Sequence, residues 1–324
     1  MTAAHPSIRV MRRLPTEVER VLAERLGARL NPDDVPLDRS RLADAMRDAD
    51  ILVPTITDRI DAELLTVPGR RVRLIASYGA GVDHIDLAAA RDAGIAVTNT
   101  PDALTEATAE LAILLMLMAA RRAGEGEREV RAGAWTGWRP THLVGNGLHG
   151  RVLALVGFGR IAQATAAKAR GLGMTIRYFN RSPVDPAVTA RLAAEPVDAL
   201  VDLVRGADVV SLHMPGGAAT RQMIDRGILR AMQPHAILVN TARGSVIDEA
   251  ALVEALEAGW IGAAALDVYA EEPLMHPGLL THSRSVLLPH LGSATIEARN
   301  AMGMQAIANI DAFLSGKALP NRVA

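Results

Sequence analysis

The stretch RVLALVGFGRIAQATAAKARGLGMTIRYFN, Arg151 to Asn180, decides how the rest of the chain is read. It opens on a short apolar run of the kind that forms a fully buried strand. Gly157-Phe158-Gly159 interrupts the run, and an alanine-rich helical segment follows from Arg160. Gly157 permits a tight turn, Gly159 lets another group come close to the backbone, and Ala162 is small enough for the helix to pack on the strand. A helix that starts there offers free N–H groups and the positive end of its dipole, which together suit a pyrophosphate. A glycine turn alone would be weak evidence. The strand before it, the helix after it and a second strand, TIRYFN, at the right distance make a dinucleotide site the specific reading.

The end of that second strand departs from the usual pattern. Dinucleotide-binding folds place an Asp or Glu there, which holds the adenosine ribose 2′-OH and repels a 2′-phosphate. Asn180 occupies the position, 21 residues after Gly159, with Arg181 and Ser182 behind it. A neutral amide removes the repulsion, and an arginine fork suits a phosphate. The expectation is therefore NADP(H), with NAD(H) as the alternative in which Arg181 lies on the adenine or points into water.

Outward from this stretch the same alternation of short apolar runs and Ala/Leu-rich helical segments appears twice. The first half reads IRVM, PTEVERVLAERL, ILVPT, RLIASYG, DHIDLAAARDAG and IAVTNTP. The second reads RVLALVG, RIAQATAAKARGL, TIRYFN, VDALVDLVRGA, DVVSLHM, AILVNTA, DEAALVEALEAG, AAALDV and SVLLPH. That pattern predicts an α/β protein with two doubly wound parallel sheets. Between the halves, Thr105 to Arg131 begins as a helix, and GAWTGWRPTHLVGNGLHG follows without any period. The C-terminal TIEARNAMGMQAIANIDAFLSG has helical spacing.

A chain of 324 residues favours two domains. Lys+Arg (35) and Asp+Glu (36) nearly cancel, which gives no electrostatic reason to expect nucleic acid or an anionic membrane. No cysteine is present, so disulfides, thiolate metal sites and a cysteine nucleophile are excluded, and no metal is expected. The most apolar run, LAILLMLMAA, is shorter than the ~20 residues a membrane helix needs and reads as a buried helix. MTAAHPSIRV lacks the apolar core of a signal peptide, so a cytoplasmic location is expected.

In doubly wound sheets, ligands bind beyond the carboxyl ends of the strands. Arg243 follows AILVNTA there, Asp267, Glu271 and Glu272 follow AAAL, and His290 follows SVLLP. Reduction of a 2-oxo acid builds negative charge on the carbonyl oxygen and needs a proton. Histidine can supply it near neutral pH. A carboxylate can orient the imidazole, and arginine can hold the substrate's carboxylate or carbonyl.

The chain resembles the D-isomer-specific 2-hydroxyacid dehydrogenase family from end to end. The matching segments are YGAGVDHIDLAAARDAGIAVTNTPDALTEATAELA, LVGFGRIAQA, LVNTARGSVIDEAALVEAL, ALDVYAEEP and LLPHLGSAT. The resemblance implies that Arg243 binds substrate, that His290 is the acid/base and that Glu272, directly before Pro273, pairs with it. It implies a nicotinamide contact for Asp267 and substrate-carboxylate binding by the amides of Ala80 and Gly81, with Tyr78 beside them. The cofactor set expected with these is Thr108, Gly157, Phe158, Gly159, Arg160, Ile161, Asn180, Arg181, Ser182, His213, Pro215, Thr220, Thr241, Ala242, Asp267 and Gly292.

The resemblance also implies a flavodoxin-like substrate domain, residues 1–102 and 291–324, with a Rossmann domain, residues 103–290, inserted in it and the active site in the cleft between them. The segment GAWTGWRPTHLVGNGL is most similar to the glyoxylate/hydroxypyruvate reductase branch, which commonly uses NADPH. There residues 121–150 form an arm that helps build a homodimer, and Trp138 matches a tryptophan that reaches the neighbour's active site. Gly216-Gly217 stand where relatives carry a larger pair. The expected reaction is reduction of glyoxylate, hydroxypyruvate or a similar acid. The alternatives are NAD(H)-dependent reduction of a larger 2-oxo acid and a dinucleotide-sensing scaffold with little catalysis. Formate and phosphite dehydrogenases share the fold, but the former bring a Gln beside the catalytic His where this chain has Glu272.

Overall fold

The computed structural model describes residues 6–324. Two compact units divide them. One runs to Leu104 and resumes at Ser293; the other is Thr105–Gly292.

The first unit holds a parallel sheet of β1 (Ile8–Val10), β2 (Ile51–Val53), β3 (Leu74–Ala76) and β4 (Ala96–Thr98), in that order. Arg29 adds a single parallel bridge to Arg9, on the far side of β1 from β2. With that bridge as a vestigial second strand, the chain follows the flavodoxin-like order. Strand residues alternate between two cores. Leu52, Ile75 and Val97 face one core, with Leu42, Met46 and Leu65. Ile51, Val53, Leu74 and Ala76 face the other, with Val18, Leu22, Met302 and Ile310. Gly303 is required in the helix Ile296–Leu314, because a Cβ there would lie 2.3 Å from a Val18 methyl.

The second unit holds seven parallel strands: β5 (Val152–Val156), β6 (Thr175–Phe179), β7 (Ala194–Pro196), β8 (Val209–Leu212), β9 (Ile237–Asn240), β10 (Ala263–Leu266) and β11 (Ser285–Leu287). Their order is β11-β10-β9-β8-β5-β6-β7, so the direction of winding reverses between β5 and β8. Buried on both faces, these strands need apolar residues throughout. Leu153, Leu155, Val239 and Ala265 pack under the helices Thr105–Ala120 and Arg160–Gly171; Val156, Leu212, Leu238 and Leu266 pack against Leu203, Leu229 and Leu252 on the other side.

The expected buried helix of LAILLMLMAA is buried on one face only. Ala112, Leu115, Met116 and Ala119 are inside, while Leu114 and Leu117 are exposed. The helix stops at Ala120, Arg122 takes a left-handed φ of 53°, and a new helix runs from Ala123 to Arg131. Residues 132–151 carry no helix or strand.

Candidate active site

The carboxyl ends of β5 and β8 meet at the point of reversal, where doubly wound folds bind their ligands. Gly157 ends β5 with a φ of 85°, and a Cβ on it would lie 3.0 Å from the carbonyl carbon of His213 and from the nitrogen of Met214. Only glycine meets both demands. Gly159 caps the helix Arg160–Gly171 without a side-chain bond to its first amides. Nothing stands within 4 Å of where its Cβ would be, so the approach to those amides is open. Ala162 is fully buried. An open glycine turn against uncapped amides is what a pyrophosphate needs, so this cradle fits the dinucleotide.

Phe158 is buried and its ring stacks on Tyr178, with centroids 4.1 Å apart. Its carbonyl accepts from Gln163 Nε2 (3.0 Å) and its N–H donates to Asn180 Oδ1 (3.0 Å). Asn180 Nδ2 in turn donates to the Ser182 carbonyl (2.8 Å). Arg160, Arg181 and Ser182 are exposed, and Ile161 is half-buried. On the β8 side, His213 Nε2 lies 2.9 Å from Ser211 Oγ, and burial pushes its imidazole down to about 4, so it is neutral at physiological pH. Thr220 Oγ1 donates to the Pro215 carbonyl (2.7 Å) and closes the following loop. A Cβ on Gly216 would come within 3.0 Å of Arg243 Cγ. Gly216 thus lets this loop lie against the stem of Arg243.

Arg243 itself is set by its neighbours. Asn240, fully buried at the end of β9, donates from Nδ2 to the Arg243 carbonyl (2.8 Å) and accepts at Oδ1 from the Ala242 N–H (2.9 Å). A Cβ on Gly244 would stand 1.8 Å from the carbonyl carbon of Tyr269, so the chain turns there only with glycine. The hydroxyl of Thr241 is buried without a protein partner. A buried hydroxyl in that state is suited to a ligand atom.

His290 follows β11 in the left-handed region, with φ of 56°. That conformation costs a non-glycine residue roughly 1–2 kcal/mol and is held in place by Asp267. The fully buried Asp267 accepts at Oδ1 from Leu291 N–H (2.7 Å) and at Oδ2 from Gly292 N–H (2.8 Å), and its carbonyl accepts from His290 N–H (2.9 Å). Burial raises the Asp267 carboxyl against the opposing pull of these amides and of the His290 charge. Thr108, also buried, donates to the Gly292 carbonyl (2.9 Å). Both residues were expected at the cofactor; their polar atoms hold the turn that carries His290.

The imidazole Nδ1 lies 2.8 Å from Glu272 Oε2. Glu272 Oε1 accepts from Tyr269 N–H (3.1 Å), and the Tyr269 hydroxyl donates to the Leu288 carbonyl (2.9 Å). Burial opposes ionisation of Glu272, but the hydrogen bond and charge of His290 outweigh it and hold the carboxyl below its ordinary value; the Tyr269 amide and Arg243 act in the same sense. Glu271 is exposed and its carbonyl accepts from Leu274 N–H (2.8 Å). With Nδ1 committed to Glu272, Nε2 is the ring nitrogen left. Asn240 and Tyr269 were absent from the sequence reading. The signal for Asn240 was a polar residue closing the apolar run AILV.

In the first unit, Ala80 and Gly81 are half-buried just past the end of β3, and the Ala80 carbonyl accepts from Asn99 Nδ2 (2.7 Å). Tyr78 is buried and its hydroxyl donates to the Arg299 carbonyl (2.7 Å), which spends its polar atom inside that unit. In the second unit Trp138 is 83% exposed, and Val130, Trp135 and Val144 are exposed with it. Among the described residues, no cluster of metal-ligating side chains occurs and no helix is long and apolar enough to cross a membrane.

A family model for the NAD-binding domain of D-isomer-specific 2-hydroxyacid dehydrogenases matches residues 113–292. The glyoxylate reductase of Thermococcus litoralis is 41% identical over 322 residues, covering 98% of this chain and 96% of its own. That of Aeropyrum pernix is 46% identical over 283 residues, covering 86% and 83%. Among solved structures, the NADPH-dependent glyoxylate/hydroxypyruvate reductase of Sinorhizobium meliloti, in complex with NADP and malonate, matches with a TM-score of 0.87 at 33% identity, over 99% of this chain and 97% of that one.

Proposed function

The chain belongs to the D-isomer-specific 2-hydroxyacid dehydrogenase family, and we propose that it reduces a small 2-oxo acid of the glyoxylate or hydroxypyruvate type to the D-2-hydroxy acid with NADPH. It is an NAD(P)-dependent oxidoreductase of 2-oxo acids, related to glyoxylate reductases. The observation that carries the finer reading is the Glu272–His290 pair, 2.8 Å apart on the turns after β10 and β11. A nicotinamide dinucleotide held at the Gly157–Gly159 cradle would supply the hydride for the carbonyl carbon. His290 gives the carbonyl oxygen its proton from Nε2, while Glu272 fixes the ring through Nδ1. Arg243 holds the substrate carboxylate or carbonyl by its guanidinium. Ala80 and Gly81 are the proposed takers of the carboxylate through their amides.

NADPH is favoured by the neutral Asn180 and by Arg181 and Ser182 exposed after it. The relative from Sinorhizobium meliloti was solved with NADP. A homodimer is favoured by the exposed Leu114, Leu117, Val130, Trp135, Trp138 and Val144, all within residues 105–150. Exposed apolar side chains gathered on one segment mark a protein contact.

A panel of glyoxylate, hydroxypyruvate, 2-ketogluconate, a bulky 2-oxo acid, formate and phosphite, run with NADPH and with NADH, tests the reading. The highest kcat/KM is expected with a small 2-oxo acid and NADPH. Arg181→Ala should raise KM for NADPH far more than for NADH. Tight dinucleotide binding without turnover of any acid would favour the sensing scaffold instead.

A further inference from the structure

We infer that Asn180 is a positioning residue for cofactor choice: its carboxamide ties the glycine turn to the Arg181–Ser182 turn and so sets where the phosphate-binding groups stand. The inference rests on the NADPH reading above.

Phe158 is the fixed point. Its ring is stacked on Tyr178, its carbonyl is taken by Gln163, and its N–H is taken by Asn180 Oδ1. From there the Asn180 Nδ2 reaches the carbonyl of Ser182, two residues on, and closes a turn with Arg181 at its middle. The next regular element begins only at Pro186. This one bond therefore fixes an otherwise exposed turn relative to the cradle for the pyrophosphate.

The bond needs an amide. Asparagine donates and accepts at once, whereas an ionised aspartate only accepts. An acid at this position would keep the Phe158 bond, lose the Ser182 bond and set a carboxylate oxygen against a carbonyl oxygen. Asn180 thus differs from the usual acid in two separable ways: it removes a charge that repels a 2′-phosphate, and it adds a donor that places Arg181 and Ser182.

Asn180→Ala separates them, because it brings no charge yet lacks the donor. NADPH and NADH are titrated by fluorescence into the wild type, Asn180→Ala and Asn180→Asp, with thermal unfolding of each to establish that it is folded. Loss of one such hydrogen bond should cut the NADPH-over-NADH preference of Asn180→Ala about 3- to 10-fold, mainly through weaker NADPH binding. Asn180→Asp should lose more. If Asn180→Ala is unfolded, Asn180→Ser replaces it, its hydroxyl being too short to span to the Ser182 carbonyl, and the same loss is expected. A neutral variant that keeps the wild-type preference overturns the inference, including the case in which both cofactors weaken equally through the glycine turn. A wild type that binds NADPH no better than NADH overturns the NADPH reading itself, and the inference with it.

Discussion

At the scale of single residues the proposed chemistry turns on which atoms of His290 are committed. Nδ1 faces Glu272 at 2.8 Å, which leaves Nε2 as the other ring nitrogen. Removing the imidazole in His290→Ala should lower kcat by about 10²–10⁴-fold, the usual worth of general acid catalysis, with folding retained by circular dichroism. Glu272→Gln keeps the shape but replaces the carboxylate that holds Nδ1 with a neutral amide, and it should lower kcat with KM for the 2-oxo acid little changed. Glu271→Gln should leave kcat alone, since Glu271 is exposed. The same pair makes an acid-stability prediction. The Glu272 carboxyl sits below its ordinary value in the folded protein. Its contribution is therefore complete above the unfolded-state value and is lost as pH falls through the lower, folded one. In urea unfolding, the gap between wild type and Glu272→Gln should be wider at pH 7 than at about pH 3. Arg243, Glu272 and His290 were legible as polar residue types at strand ends. The clasp of Asn240 on Arg243 was not, because a buried amide that bonds backbone groups two and three residues on leaves no periodic trace in sequence.

At the scale of elements, the turn after β11 shows what a short strand cannot supply by itself. β11 has three residues and its pairing ends at Leu287, so the geometry of His290 comes from Asp267 at the end of β10. Asp267→Asn leaves one oxygen to accept and sets an NH₂ against a second backbone donor. It should cost roughly 1–3 kcal/mol in urea unfolding and lower kcat more than it raises KM for the 2-oxo acid. A loss confined to KM for the dinucleotide would instead return Asp267 to the nicotinamide contact expected from its family resemblance. The elements themselves were read unevenly. Long apolar runs before glycine gave β5 and its helix. The edge strand β7, AEP, escaped because it has three residues, one of them a proline that only an edge tolerates. The helix Arg39–Asp48 escaped behind its charges, although Asp38 as N-cap and the spacing of Leu42, Ala45 and Met46 mark it. The helix of the DHIDLAAARDAG segment starts only at Leu87, because Asp86 accepts from Ala89 N–H and caps it there.

At the scale of the whole molecule, two sheets with separate cores were legible because parallel strands buried on both faces must be apolar throughout. What the apolar count could not say was which side chains the chain leaves uncovered. LAILLMLMAA looks uniformly buried, yet Leu114 and Leu117 face outward, and the segment after it exposes Val130, Trp135, Trp138 and Val144. A monomer would leave that surface in water; a second copy set against it would remove it. In sedimentation velocity the wild type should therefore run as a dimer at micromolar concentration. Placing charge on two of these exposed side chains, with Leu117→Glu and Val130→Glu together, should convert it to monomer while dinucleotide binding by fluorescence is retained, because the cradle at Gly157 and Gly159 uses none of these residues. Trp138→Ala then separates packing from chemistry. If Trp138 only fills the interface, the variant weakens the dimer and leaves KM for the 2-oxo acid unchanged. If it reaches the partner's active site, KM rises in a protein that still sediments as a dimer, and that second outcome is the one expected here.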